Sequence, residues 1–94
     1  KKGSVYRDIV KSWCEKLDSF APDMSFISAG FDGHAEDALG NLRLVEADYE
    51  WVTLQIKKIA DKHCSGKIVS MLEGGYALSA LSRSVVSHIK ALMT

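Results

Sequence analysis

Apolar residues at Val5, Ile9, Trp13 and Leu17 recur every four positions, with Val10 and Cys14 beside them. That spacing draws one stripe along a helix and predicts an amphipathic helix over residues 4–20. The helix should stop ahead of Pro22, because a proline pushes the preceding residue out of the helical region. "MSFISAG", residues 24–30, is a short, mostly apolar run closed by glycine, the pattern of a strand buried on both faces. Helical spacing returns through Tyr49, Val52, Ile56 and Ile59, with Glu50, Lys57, Lys58 and Asp61 largely on the other faces, and predicts a second helix over 46–63. "KIVSMLEGG", 67–75, repeats the strand pattern, and Leu78, Leu81, Val85, Ile89 and Leu92 mark a third helix.

Strands that alternate with helices imply a parallel sheet joined by right-handed crossovers. Two strands make a poor sheet on their own, since parallel sheets are normally wider and covered on both faces. The expected fold class is therefore α/β, a piece of a larger parallel-sheet domain with the order helix, strand, helix, strand, helix. Residues 1–94 are expected to be the C-terminal part of a single domain.

In open parallel sheets ligands bind beyond the carboxyl ends of the strands. Two unusual loops sit there, "GFDGHAEDALGNL" and "EGGYAL", and on adjacent strands both would face the same side. Asp32 is the first charge after its strand. It could be a hard oxygen ligand for a divalent metal, a general base, or a cap that accepts loop amide bonds, and chemistry alone favours the cap. His34 reads as a solvated loop histidine, and His63 as an imidazole favoured by a helix C-terminus. Tyr76 follows two glycines that allow close backbone approach or positive φ. Its phenol could donate to a developing oxyanion, although an ordinary half-buried aromatic is slightly favoured. "EGG" before a helix does not have the spacing of a phosphate loop, which disfavours a nucleotide-binding reading.

The chain has 94 residues, 12 basic and 12 acidic, so no basic excess points to nucleic acid or an anionic membrane. No apolar run approaches the ~20 residues of a membrane span, and "KKGSVYRD" leads into no signal-peptide core. The expected location is cytoplasmic. Cys14 and Cys64 are far apart, each in a helical pattern, and are expected as two reduced thiols.

The run "ISAGFDGHAEDALGNLRL" with "LEGGY" about 30 residues later resembles the C-terminal part of the zinc-dependent histone deacetylase superfamily, which includes bacterial deacetylase-like amidohydrolases, acetylpolyamine amidohydrolases and acetoin-utilisation proteins. The resemblance extends over nearly the whole chain, including "FAPDMSFISAGFD". It implies a three-layer α/β/α domain of the arginase and deacetylase type, and an enzyme that removes acetyl groups from lysine or polyamine-type amines. Position by position, it implies that Asp32 is the carboxylate zinc ligand and that Tyr76 steadies the tetrahedral oxyanion. It places Gly74 and Gly75 along the narrow acyl-lysine channel, Leu39 near the pocket wall, and Asp37 as loop support. The cofactor implied for the intact protein is Zn2+, with none expected on these residues alone, and the partner implied is an acetylated amine or acetyl-lysine.

The sequence also departs from the family pattern. Ala38 stands where the family has proline, and Val45 stands where a Thr or Ser usually caps the second helix, a loss of ~1 kcal/mol. The superfamily's histidine pair and its separate Asp-x-His pair belong to earlier segments, and "DGH" at 32–34 is not that pair. These 94 residues are therefore expected to be inactive alone and to self-associate through uncovered surfaces. A non-catalytic α/β interaction module on the same framework is the alternative from another class.

Overall fold

The computed structural model describes residues 2–36 and 43–94. Helix α1 spans Lys2–Phe20, strand β1 Ser25–Gly30, helix α2 Glu46–Cys64, strand β2 Ile68–Gly74 and helix α3 Leu78–Leu92. The predicted order holds. The two strands pair in parallel, with helix α2 as the crossover that returns the chain to the same starting end of the sheet.

Helix α1 ends as Pro22 dictates. Ala21 takes φ 56° and its N–H bonds back to Leu17 and Asp18, so the turn reverses in a left-handed residue before the proline. Helix α2 starts at Val45 with no side-chain cap, as the sequence predicts. Asp48 supplies the reciprocal bond instead, accepting the Val45 N–H at 3.0 Å, and its other oxygen accepts from Arg7 Nε at 3.0 Å. Arg7 also lies over the Trp51 ring at 5.1 Å, so one guanidinium ties α1 to the first turns of α2.

The core gathers Ala29, Phe31, Leu44 and Tyr49, with Tyr6, Ile27, Leu81 and Val85 against them. Small residues let α2 and α3 approach: Ala60, Ala80 and Ala91 are buried. Between them lies a polar network. Thr53 Oγ1 donates to the Tyr49 carbonyl at 2.7 Å, so it can only accept from His88 Nδ1, also 2.7 Å away. His88 Nε2 then accepts from Ser70 Oγ at 2.8 Å, which makes the ring a neutral bridge from α3 to α2 and β2. Burial pushes the His88 imidazole below its ordinary pKa, consistent with that neutral form.

The apolar stripe of α1 corrects a simple amphipathic picture. Val5, Ile9, Trp13 and Leu17 are all about half exposed, and the buried line of this helix is led by Val10. Trp13 and Leu17 instead edge a groove of about 250 Å³ between α1, β1 and α2. The strands also depart from the expectation of burial on both faces, since Phe26 and Met71 stand exposed where no described element covers the sheet. Cys14 and Cys64 are free thiols, as predicted.

Candidate functional site

The two strands end together. Register runs from Ser25 opposite Ile68 to Ala29 opposite Leu72, then jumps to Gly30 opposite Gly74, so Glu73 is an extra residue and β2 bulges. A bulge re-aims the chain at a strand end. Beyond it, the Phe31 N–H donates to the Gly74 carbonyl at 2.9 Å and locks the two loops to each other.

Gly75 has φ +120°, and a Cβ there would stand 2.9 Å from the Phe31 carbonyl carbon and Cβ. Only glycine permits that close approach. Phe31 is itself fixed by packing, 5.0 Å from the Tyr49 ring and 6.0 Å, edge-on, from His88. Asp32 and Tyr76 therefore leave adjacent strands from a rigid junction at the same end of the sheet.

Asp32 is exposed in the turn after Phe31, its carboxylate folded over Gly30, where an added Cβ would be 3.2 Å from Oδ1. Among the described residues, no hydrogen bond or ion pair engages this carboxylate, so the capping alternative finds no partner there. Tyr76 is 71% exposed, more open than the half-buried aromatic the sequence suggests, and its ring lies back along Gly74. Among the described residues no three His, Cys, Asp or Glu side chains converge as a metal cage. The donor set fits a metal to the extent of one ligand, a carboxylate that no described protein group claims, with a phenol donor on the neighbouring loop. Leu39, Asp37 and Ala38 lie outside the described residues.

His34 is not the solvated histidine the sequence suggests. It is 2% exposed, held because the loop turns back: the Ala35 N–H donates to the Leu44 carbonyl and the Leu44 N–H to that of Gly33, at 2.8 and 2.9 Å. His34 Nδ1 accepts the Glu36 N–H at 3.0 Å, so Nε2 carries the ring proton and donates to Glu46 Oε1 at 2.7 Å. The other Glu46 oxygen accepts from Arg83 Nε, and Arg83 also pairs with Glu36 and with Ser79 Oγ. The His34 hydrogen bond, then that of Arg83, holds the Glu46 carboxyl down at about 2. His63 is engaged elsewhere, its Nε2 donating to Asp18 Oδ1 at 2.7 Å beside Lys62.

Sequence reasoning missed Glu46, Arg83 and Glu36. The Arg83 contacts span 37 and 47 residues of chain, so no local spacing could announce them. A polar residue such as His34 amid a loop of turn formers carries no sign of burial, which is decided by the return of Leu44.

Residues 2–92 match the family model described as the histone deacetylase domain. Type-2 histone deacetylase 2 of Dictyostelium discoideum is 44% identical over 91 residues, which cover 89% of this chain and 5% of that protein. Histone deacetylase 14, chloroplastic, of Arabidopsis thaliana is 38% identical over 90 residues, 96% of this chain and 21% of that protein. A probable deacetylase of Methanothermobacter thermautotrophicus is 38% identical over 77 residues, 81% of this chain and 22% of that protein. Among solved structures, the HD domain of HDA15 superposes with a TM-score of 0.73 at 38% identity, over 81% of this chain and 20% of that one. This chain thus spans from a twentieth to about a fifth of the length of these relatives, and its helices and strands match part of the α/β fold of the solved domain.

Proposed function

The chain belongs to the histone deacetylase domain family, and from that premise we propose that it forms the C-terminal part of a zinc-dependent amidohydrolase that removes acetyl groups from lysine or polyamine-type amines. Asp32 is the carboxylate ligand it contributes and Tyr76 the oxyanion donor. The family resemblance assigns Gly74, Gly75 and Leu39 to the walls of the acyl channel.

The observation that carries this reading is the Phe31 to Gly74 hydrogen bond at 2.9 Å, with Gly75 seated against Phe31. It holds a carboxylate that no described residue pairs with and a phenol on adjoining loops, a pairing suited to metal-assisted acyl transfer. Zinc, when bound, supplies a Lewis acid for the acyl carbonyl and a water made acidic. Asp32 offers a hard oxygen and one negative charge to that centre. Tyr76 donates its phenol hydrogen in a hydrogen bond where oxyanion charge develops and keeps that proton through the reaction. The other ligands and the base that takes the water's proton come from the rest of the protein.

Two substitutions in the full-length protein test the reading. Tyr76→Phe removes one oxyanion donor and should lower kcat by about 10²- to 10³-fold with zinc content unchanged. Asp32→Ala should release zinc in elemental analysis. A Tyr76→Phe enzyme of undiminished rate, or an Asp32→Ala protein with full zinc, overturns the corresponding role.

A further inference from the structure

The loop that carries Asp32 is not held by its own backbone alone. His34, two residues on, is buried and has both ring nitrogens committed, one to the Glu36 N–H and one to Glu46 Oε1. Glu46 is the first residue of α2, and its second oxygen accepts from Arg83 Nε on α3. Arg83 spreads its remaining nitrogens to Glu36 in the loop and to Ser79 in the first turn of its own helix. One planar guanidinium thus grips the Asp32 loop at two points, directly at Glu36 and through Glu46 and His34.

We infer that Arg83 is a positioning residue for the metal-binding carboxylate, orienting Asp32 through the Glu36 and Glu46–His34 contacts. The inference rests on Asp32 being the ligand proposed above. Arg83 sits behind the site and acts on it through these carboxylates. Its fork suits the task because it fixes two carboxylates in one plane, which a lysine's point charge does not. Helix α3 begins two residues after Tyr76, so the same grip also holds the phenol's segment against the carboxylate's loop.

Positioning and mere stabilisation separate here on physical grounds. Arg83 and Glu36 are 41% and 51% exposed, and ion pairs at such exposure add little to folding stability. Orientation is more demanding, since groups that hold a metal ligand from behind commonly change metal affinity by about 10- to 100-fold when removed. A positioning role therefore predicts a large effect on zinc and a small one on melting.

The test uses the full-length protein and zinc affinity by chelator competition, a readout independent of turnover. Arg83→Met should weaken zinc binding about 10- to 100-fold, with Tm lowered by no more than about 4 °C. Arg83→Lys should recover part of the loss, and Glu36→Gln should weaken zinc in the same direction by less. Unchanged zinc affinity in Arg83→Met and Glu36→Gln, alongside zinc loss in Asp32→Ala, overturns the inference and leaves the ligand assignment standing. Full zinc in Asp32→Ala overturns both. Should Arg83→Met fail to fold, Glu36→Gln decides: weakened zinc supports the grip and unchanged zinc removes it.

Discussion

Gly75 sets how close the two site loops come. At φ +120° any side chain is strained, and a Cβ would also meet the Phe31 backbone at 2.9 Å. Gly75→Ala should therefore cost about 1–3 kcal/mol, read as an earlier denaturant midpoint, and should disturb Asp32 and Tyr76 together. At Glu46 the carboxyl is held at about 2, against an ordinary value of 4.5. A depressed carboxyl stabilises the fold fully above the unfolded value and loses that contribution as pH falls through the folded one. Stability should accordingly decline between about pH 4.5 and 2, and Glu46→Gln should flatten that limb in acid-melting curves. The places of Asp32 and Tyr76 at the strand ends were legible in the sequence, while the roles proposed for them come from the family resemblance. Those of His34, Glu46 and Arg83 were not legible, because each draws its meaning from a partner distant along the chain.

At the scale of elements, α1 and the His88 network differ in what the sequence could disclose. Periodicity located α1 and Pro22 fixed its end, since both are local steric and hydrophobic effects. Which side of α1 is buried was not local: Val10 lies inside while Trp13 stays 58% exposed. His88 becomes the bridge among α3, α2 and β2 only once Thr53 and Ser70 fold to it. Burial lowers its pKa from 6.5, so the folded state binds its proton less readily than the unfolded chain. Its sign is opposite to that of a salt-bridged histidine. Stability is complete above about pH 6.5 and falls as pH drops from there to the lowered folded value. His88→Leu should abolish that slope in melting curves taken across the window, while costing stability at neutral pH through the unpaired Ser70 hydroxyl.

The whole molecule leaves apolar surface uncovered on two sides. Phe26 and Met71 on the sheet and Trp13 and Phe20 on α1 are 66%, 49%, 58% and 77% exposed. Exposed patches of this kind are characteristic of surfaces that meet other protein, and an unpaired parallel edge adds to the tendency. We propose that the 94-residue chain self-associates in isolation, with mass rising with concentration in equilibrium ultracentrifugation; a clean monomer at high concentration counts against it. With Asp32 the one ligand proposed for it, the same chain should show no tight stoichiometric zinc in calorimetric titration, since a zinc site takes at least three protein ligands.

The amino-acid sequence by itself determined the five elements, their order, the parallel pairing and the convergence of two loops at one end. These follow from short-range sterics, from hydrophobic period and from the handedness of crossovers. Tertiary structure alone decided that Gly75 must seat on Phe31, that His34 is buried, and that Arg83 reaches both Glu36 and Glu46. Those depend on distances between residues far apart in the chain, which spacing along a sequence does not encode.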